Sequence, residues 1–105
     1  MRIAVVATVL ILAVAPAFAQ QRGSAQVGQK LVQENCSRCH AVGRTGESPL
    51  RIAPPFRELH KRYPVENLAE ALAEGIVTGH PTMPEFRFDP DQVEHILAYL
   101  KTLER

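Results

Sequence analysis

Residues 34–43 read ENCSRCHAVG and hold both cysteines of the 105-residue chain, Cys36 and Cys39, with His40 directly after the second. Four chemistries use such a pair: a disulfide, a redox-active dithiol, half of a zinc site, or a covalent haem anchor. Structural zinc takes four ligands in spaced pairs. Here no further cysteine exists, and His60, His80 and His95 stand far apart in the chain. A dithiol oxidoreductase places its CxxC after a strand, at the start of a helix, whereas this pair closes a helical pattern. A disulfide over so short a loop adds little stability. CxxCH is the spacing of covalent haem attachment. Two thiols two residues apart each add across one vinyl group of the porphyrin, and the next residue offers its imidazole to the iron. On this reading Cys36 and Cys39 are thioether anchors and His40 is the proximal ligand.

Outward from the motif, the apolar positions predict helices and no strand. Val27, Leu31, Val32 and Cys36 follow a helical spacing over residues 26–39. Residues 41–53, with Gly43, Gly46 and Pro49, read as a loop. Pro55 starts a short helix to Lys61, and Pro64 a second one stopping near Gly75, with Val65, Leu68, Leu72 and Ile76 inward. Residues 79–88, GHPTMPEFRF, read as loop again. Asp89-Pro90-Asp91-Gln92 then supplies a cap, a proline at the first helical position and a reciprocal capping side chain. Val93, Ile96, Leu97, Leu100 and Leu103 continue as the clearest helical stripe in the chain. The expected fold is all-α. His60 and His95 read as ordinary helix-surface residues.

The N-terminus fits this picture. Arg2, an apolar run from Ile3 to Val14 and the small-x-small box Ala17-Phe18-Ala19 predict a secretory signal, residues 1–19, cleaved to leave one domain over 20–105. An uncleaved membrane anchor is the alternative, although the apolar run is short for a span. Export places the thiols where they oxidise unless chemistry ties them up, and it makes covalent retention of a cofactor sensible. A domain this small also buries too little apolar surface to be comfortable alone. Residues 20–63 carry eight basic and three acidic side chains, and residues 64–105 three basic and eight acidic. That asymmetry suits oriented docking on a charged partner. Without a run of Lys or Arg, nucleic-acid binding has little support.

The sixth iron position decides the chemistry. Met83, the one methionine outside the signal, lies between Pro81 and Pro84, which restrict the backbone that presents its thioether. Methionine opposite histidine raises the reduction potential. His80 is the competing ligand and would give a lower-potential iron. The metal ligands expected are therefore His40 and Met83.

CSRCH at 36–40, APPF at 53–56, TMPEF at 82–86 and ILAYLKTL at 96–103 together resemble the class I c-type cytochromes, small soluble mono-haem electron carriers, over the whole mature chain. The resemblance implies N- and C-terminal helices that cross, with two shorter helices and loops wrapped around one covalently attached haem c. It implies that the Pro54 carbonyl accepts a hydrogen bond from His40, and that Gly28 and Val32 cross the last helix at Ile96 and Tyr99. The chain has no tryptophan to hold a haem propionate, and Arg51, Arg57 or Arg87 are the candidates to replace it. The function implied is that of a periplasmic electron carrier, not an enzyme, cycling one haem between Fe(II) and Fe(III) as a monomer between unnamed redox partners. The alternatives are a haem-based sensor or peroxidase-like protein with a displaceable sixth ligand, and the cytochrome subunit of a larger dehydrogenase.

Overall fold

The computed structural model describes residues 1–14, 23–75 and 82–105. Residues 1–14 are exposed and carry no regular structure. The cleavage box at 17–19, and with it Ile76, His80 and Pro81, lie outside the described residues. Every regular element among those described is helical, in the order α1 (Ala25–Asn35), a 3₁₀ helix (Phe56–Lys61), a second 3₁₀ helix (Val65–Leu68) continuous with α2 (Ala69–Glu74), and α3 (Pro90–Thr102). The all-α expectation holds.

Helix α3 starts where its capping residues place it. Asp89 is extended, and its backbone N–H donates to Gln92 Oε1 at 3.0 Å. Pro90 follows at a position whose N–H has no helical partner to lose. Asp91 in the first turn and Lys101 in the last complement the helix dipole. Val93, Ile96, Leu97, Tyr99, Leu100 and Leu103 are all buried. They form the core together with Val32, Leu59 and Val65.

Helix α1 departs from the expectation at two points. It ends at Asn35, and the backbone N–H groups of Cys39 and His40 both turn back to the Cys36 carbonyl, at 3.2 and 2.9 Å. The cysteines therefore occupy a turn, not a last helical stretch. Val27, expected inward, is 44% exposed. The inward line runs instead through Gly28 and Val32, with Leu31 beside it, because α1 lies so close to α3 that glycine has to occupy the contact. A β-carbon on Gly28 would lie 1.9 Å from the His95 carbonyl oxygen and 2.9 Å from Tyr99 Cβ. One on Gly23 would lie 2.0 Å from the Glu94 carbonyl oxygen. No non-bonded carbon tolerates such distances, so these two positions admit only glycine in this packing. The crossing falls at His95 and Tyr99, one residue from the expected Ile96 at its first point.

His95 is likewise no ordinary surface residue. Its Nδ1 accepts the backbone N–H of Ser24 at 2.7 Å, across 71 positions of sequence. Ser24 is also the N-cap of α1, its Oγ accepting from Val27 N at 3.2 Å. One end of α1 is thus fastened to the middle of α3. Near the other end of α3, Tyr99 Oη donates to the Val42 carbonyl at 2.5 Å and Arg44 Nη2 to the Thr102 carbonyl at 2.8 Å.

The short helices wind more tightly than expected. Pro55 and Pro64 are extended and serve as caps, and each is followed by 3₁₀ geometry. Short runs bounded by proline favour 3₁₀ turns. Leu59 and Val65 carry these segments into the core, Val65 at 1% exposure. Burying a valine fully is worth about 1.5–3 kcal/mol. Leu68 and Leu72 pack against the core but stay half-buried.

Candidate haem-attachment site

The loop after α1 brings two distant residues together. The Ala41 N–H donates to Ser48 Oγ at 2.9 Å, Leu50 N to the Cys39 carbonyl at 3.1 Å, and Phe56 N to the Ala41 carbonyl at 2.9 Å. These bonds close residues 41–56 into a loop whose ends meet at the cysteine turn. His40 and Pro54, fourteen positions apart, meet there: His40 Nδ1 lies 2.8 Å from the Pro54 carbonyl oxygen.

A carbonyl oxygen can only accept, so Nδ1 carries the proton. In the neutral ring Nε2 then holds its lone pair free, which is the tautomer a metal requires. The Phe56 ring lies against the imidazole, centroids 4.8 Å apart at 40°. It limits rotation of the ring that the Pro54 bond aims. Such support from outside the coordination sphere fixes a metal-binding histidine and raises its basicity.

Cys36 and Cys39 are free and half-buried. Cys36 packs against the core, and burial pushes its thiol up to about 11. Reactive dithiols need the opposite shift, toward thiolate at neutral pH, so Cys36 is not set up as a redox nucleophile. Among the described residues no three His, Cys, Asp or Glu side chains group as a cage for a bare metal ion.

The surroundings suit a large flat apolar group. Among the described residues outside the N-terminal segment, the large apolar side chains that stay exposed are Val27, Leu50 and Ile52. Two of these three stand on the loop that leads back to Pro54. Phe56, Tyr63, Leu68 and Leu72 are half-buried against the core. Two thiols, an oriented imidazole and uncovered apolar surface fit a porphyrin joined through thioethers.

Met83 stands on the connection between α2 and α3 and is half-buried. Its segment is anchored downstream. Phe88 N donates to the Leu72 carbonyl at 2.9 Å, and Phe86 stacks on Phe88 with centroids 5.6 Å apart. This segment shares no hydrogen bond with the loop that carries His40 among the described residues. Of the three arginines weighed for a propionate, Arg51 and Arg87 are exposed. Arg57 instead lines a groove with the end of α3. His60, expected on the surface, lines the same groove with its Nδ1 buried. Their placement depends on packing between distant segments, for which the local sequence carries no signal.

Comparison with known proteins points to a single family. A family model described as cytochrome c matches residues 25–104. The chain is 32% identical over 93 residues to a protein named cytochrome c6 from Gloeothece citriformis, an alignment covering 83% of this chain and 76% of that protein. It is 29% identical over 82 residues to one named cytochrome c-553-like from Synechocystis sp., covering 78% and 71% respectively. No described helix is long and apolar enough to cross a membrane.

Proposed function

The chain belongs to the cytochrome c family, whose members bind haem c covalently and carry electrons, and we propose that it works as a periplasmic carrier whose haem iron lies between His40 and Met83. The observation that carries this reading is the 2.8 Å contact from His40 Nδ1 to the Pro54 carbonyl, directly after the two thiols. The haem supplies one reversible electron through the Fe(II)/Fe(III) couple. The residues of the chain do the rest. Cys36 and Cys39 retain the group outside the cytoplasm. His40, held by Pro54 and Phe56, offers Nε2 in a fixed direction. Met83, on a segment fastened by Phe86 and Phe88, would offer the iron a soft thioether, a donor that favours the ferrous state.

With His40 and Met83 both committed to the iron, the chain would leave no place for a small ligand and would favour electron transfer with little rearrangement. Docking is brief and small in area, as suits a monomeric carrier exchanging between partners. The segment 1–19 acts as the export signal and is removed after Ala19.

Mixing the ferrous holoprotein with carbon monoxide at neutral pH tests this reading against a sensor or peroxidase-like protein. The carrier reacts slowly and incompletely, and rapid full binding overturns it. On a denaturing gel the chain keeps its haem, and loses it when Cys36 and Cys39 are both replaced by serine.

A further inference from the structure

A groove of about 280 Å³ runs between the 3₁₀ helix Phe56–Lys61 and the end of α3. Arg44, Arg57, His60, Lys61 and Arg105 line it, with Glu58 the one acidic side chain among the lining residues. That carboxylate is engaged, its Oε2 3.1 Å from Lys61 Nζ. Arg44 spends one N–H on the Thr102 carbonyl. This caps the negative end of the α3 dipole, which would otherwise repel an anion, and leaves the guanidinium charge in place. Arg57 Nη1 and His60 Nδ1 are both buried and have no hydrogen-bond partner. Among the described residues the ion pairs are Lys61–Glu58 and Lys101–Glu66, so no carboxylate answers the arginines.

Arg44, Arg57 and Arg105 line one small concavity whose single acidic side chain is already paired with Lys61, an excess of positive charge that is unfavourable. Buried polar nitrogens lacking acceptors add to it. A tetrahedral oxyanion in the groove offsets the charge excess, because its several oxygens match the planar fork of arginine two at a time. The volume is near the lower end of small-ligand sites, too small for a protein element. We propose that this groove binds a phosphate-class oxyanion, either free phosphate or the phosphoryl group of a small monoester. Arg57 is its central donor, and Arg44, His60 and Lys61 complete the rim. The site shares no residue with the haem-attachment motif.

Calorimetric titration of the holoprotein at low ionic strength tests this, with inorganic phosphate as one probe, glycerol 3-phosphate as a second and chloride at matched ionic strength as reference. Phosphate is expected to bind saturably where chloride does not. Arg57→Gln weakens binding about tenfold or more, the loss of a charge-assisted hydrogen bond. Lys61→Gln, on an exposed rim residue whose removal leaves the core intact, weakens it a fewfold. Arg51→Gln, on the exposed loop, leaves it unchanged. Tighter binding of glycerol 3-phosphate assigns the site to a monoester, and weaker or equal binding assigns it to free phosphate. Heat no different from chloride overturns the proposal. So does equal weakening by Arg51→Gln and Lys61→Gln, since that is the signature of general screening.

Discussion

Where α1 meets α3, a β-carbon on Gly28 would stand 1.9 Å from the His95 carbonyl. Around His40, by contrast, Leu50 and Ile52 remain 36% and 56% exposed beside an imidazole that is already aimed. The first region is complete in itself, backbone against backbone, with Ser24 and His95 fastening it. The second is a set of groups held ready for something to lie against them. The difference divides the labour of the chain: the helix crossing sets the shape of the domain, and the cysteine loop presents two thiols and an aimed imidazole on that shape.

The comparison breaks most completely at Gly28. Gly28→Ala forces α1 off α3 and is expected to cost about 3 kcal/mol or more, the upper end for overpacking. Guanidinium denaturation of the holoprotein measures it, and a loss under 1 kcal/mol means the helices do not touch as described. His95→Ala removes the acceptor of the Ser24 N–H and leaves a half-buried donor unpaired, a loss of about 1–2 kcal/mol by the same measurement.

Tyr99→Phe sharpens the picture further. Losing the bond to the Val42 carbonyl costs about 1 kcal/mol at neutral pH. Burial, opposed by the Arg44 charge, holds the Tyr99 hydroxyl above its ordinary value of 10.0. A raised value in the folded state means that the tyrosine's contribution is fully present below pH 10 and is lost as pH rises through the folded value. The wild-type advantage over Tyr99→Phe therefore shrinks in alkaline denaturation series and not in acid ones.

The smallest effect belongs to the exposed Lys101–Glu66 pair. Its hydrogen bond and charge lower the Glu66 carboxyl and raise the Lys101 ammonium. On the Glu66 side, whatever the pair adds is present above the ordinary carboxyl value of 4.5 and fades as pH falls through the lowered one. In 0.15 M salt, Lys101→Gln is expected to leave the denaturation midpoint unmoved.

How far the sequence reveals these two regions follows from what each is made of. Helix α3 is legible at its start and along its buried face, because Asp89, Pro90 and Gln92 are local signals and its apolar stripe is regular. The length of α1 and its inward face are less so. The residue that fixes the face is a glycine, which adds nothing to a hydropathy pattern, and Val27 next to it draws the eye instead. His95 reads as a polar surface side chain, since its partner is 71 positions away. The thiols and His40 announce themselves by spacing. The place of Pro54 beside His40 is expected from resemblance alone, and the loop bonds that bring it there come from Ala41, Ser48 and Phe56. Arg57 and His60 gain their setting only when the end of α3 closes over the 3₁₀ helix.

The central claim, a haem iron held by His40 on one side and Met83 on the other, is tested most directly by near-infrared spectroscopy and redox titration of wild-type, Met83→Ala and His80→Ala holoproteins. The sulfur-to-iron band is expected to vanish in Met83→Ala alone. The midpoint potential of that variant is expected to fall by on the order of 0.1 V or more, within the roughly 0.8 V over which axial ligands tune haem. A Met83→Ala protein with the wild-type band and potential, or a His80→Ala protein that shifts in its place, contradicts the assignment.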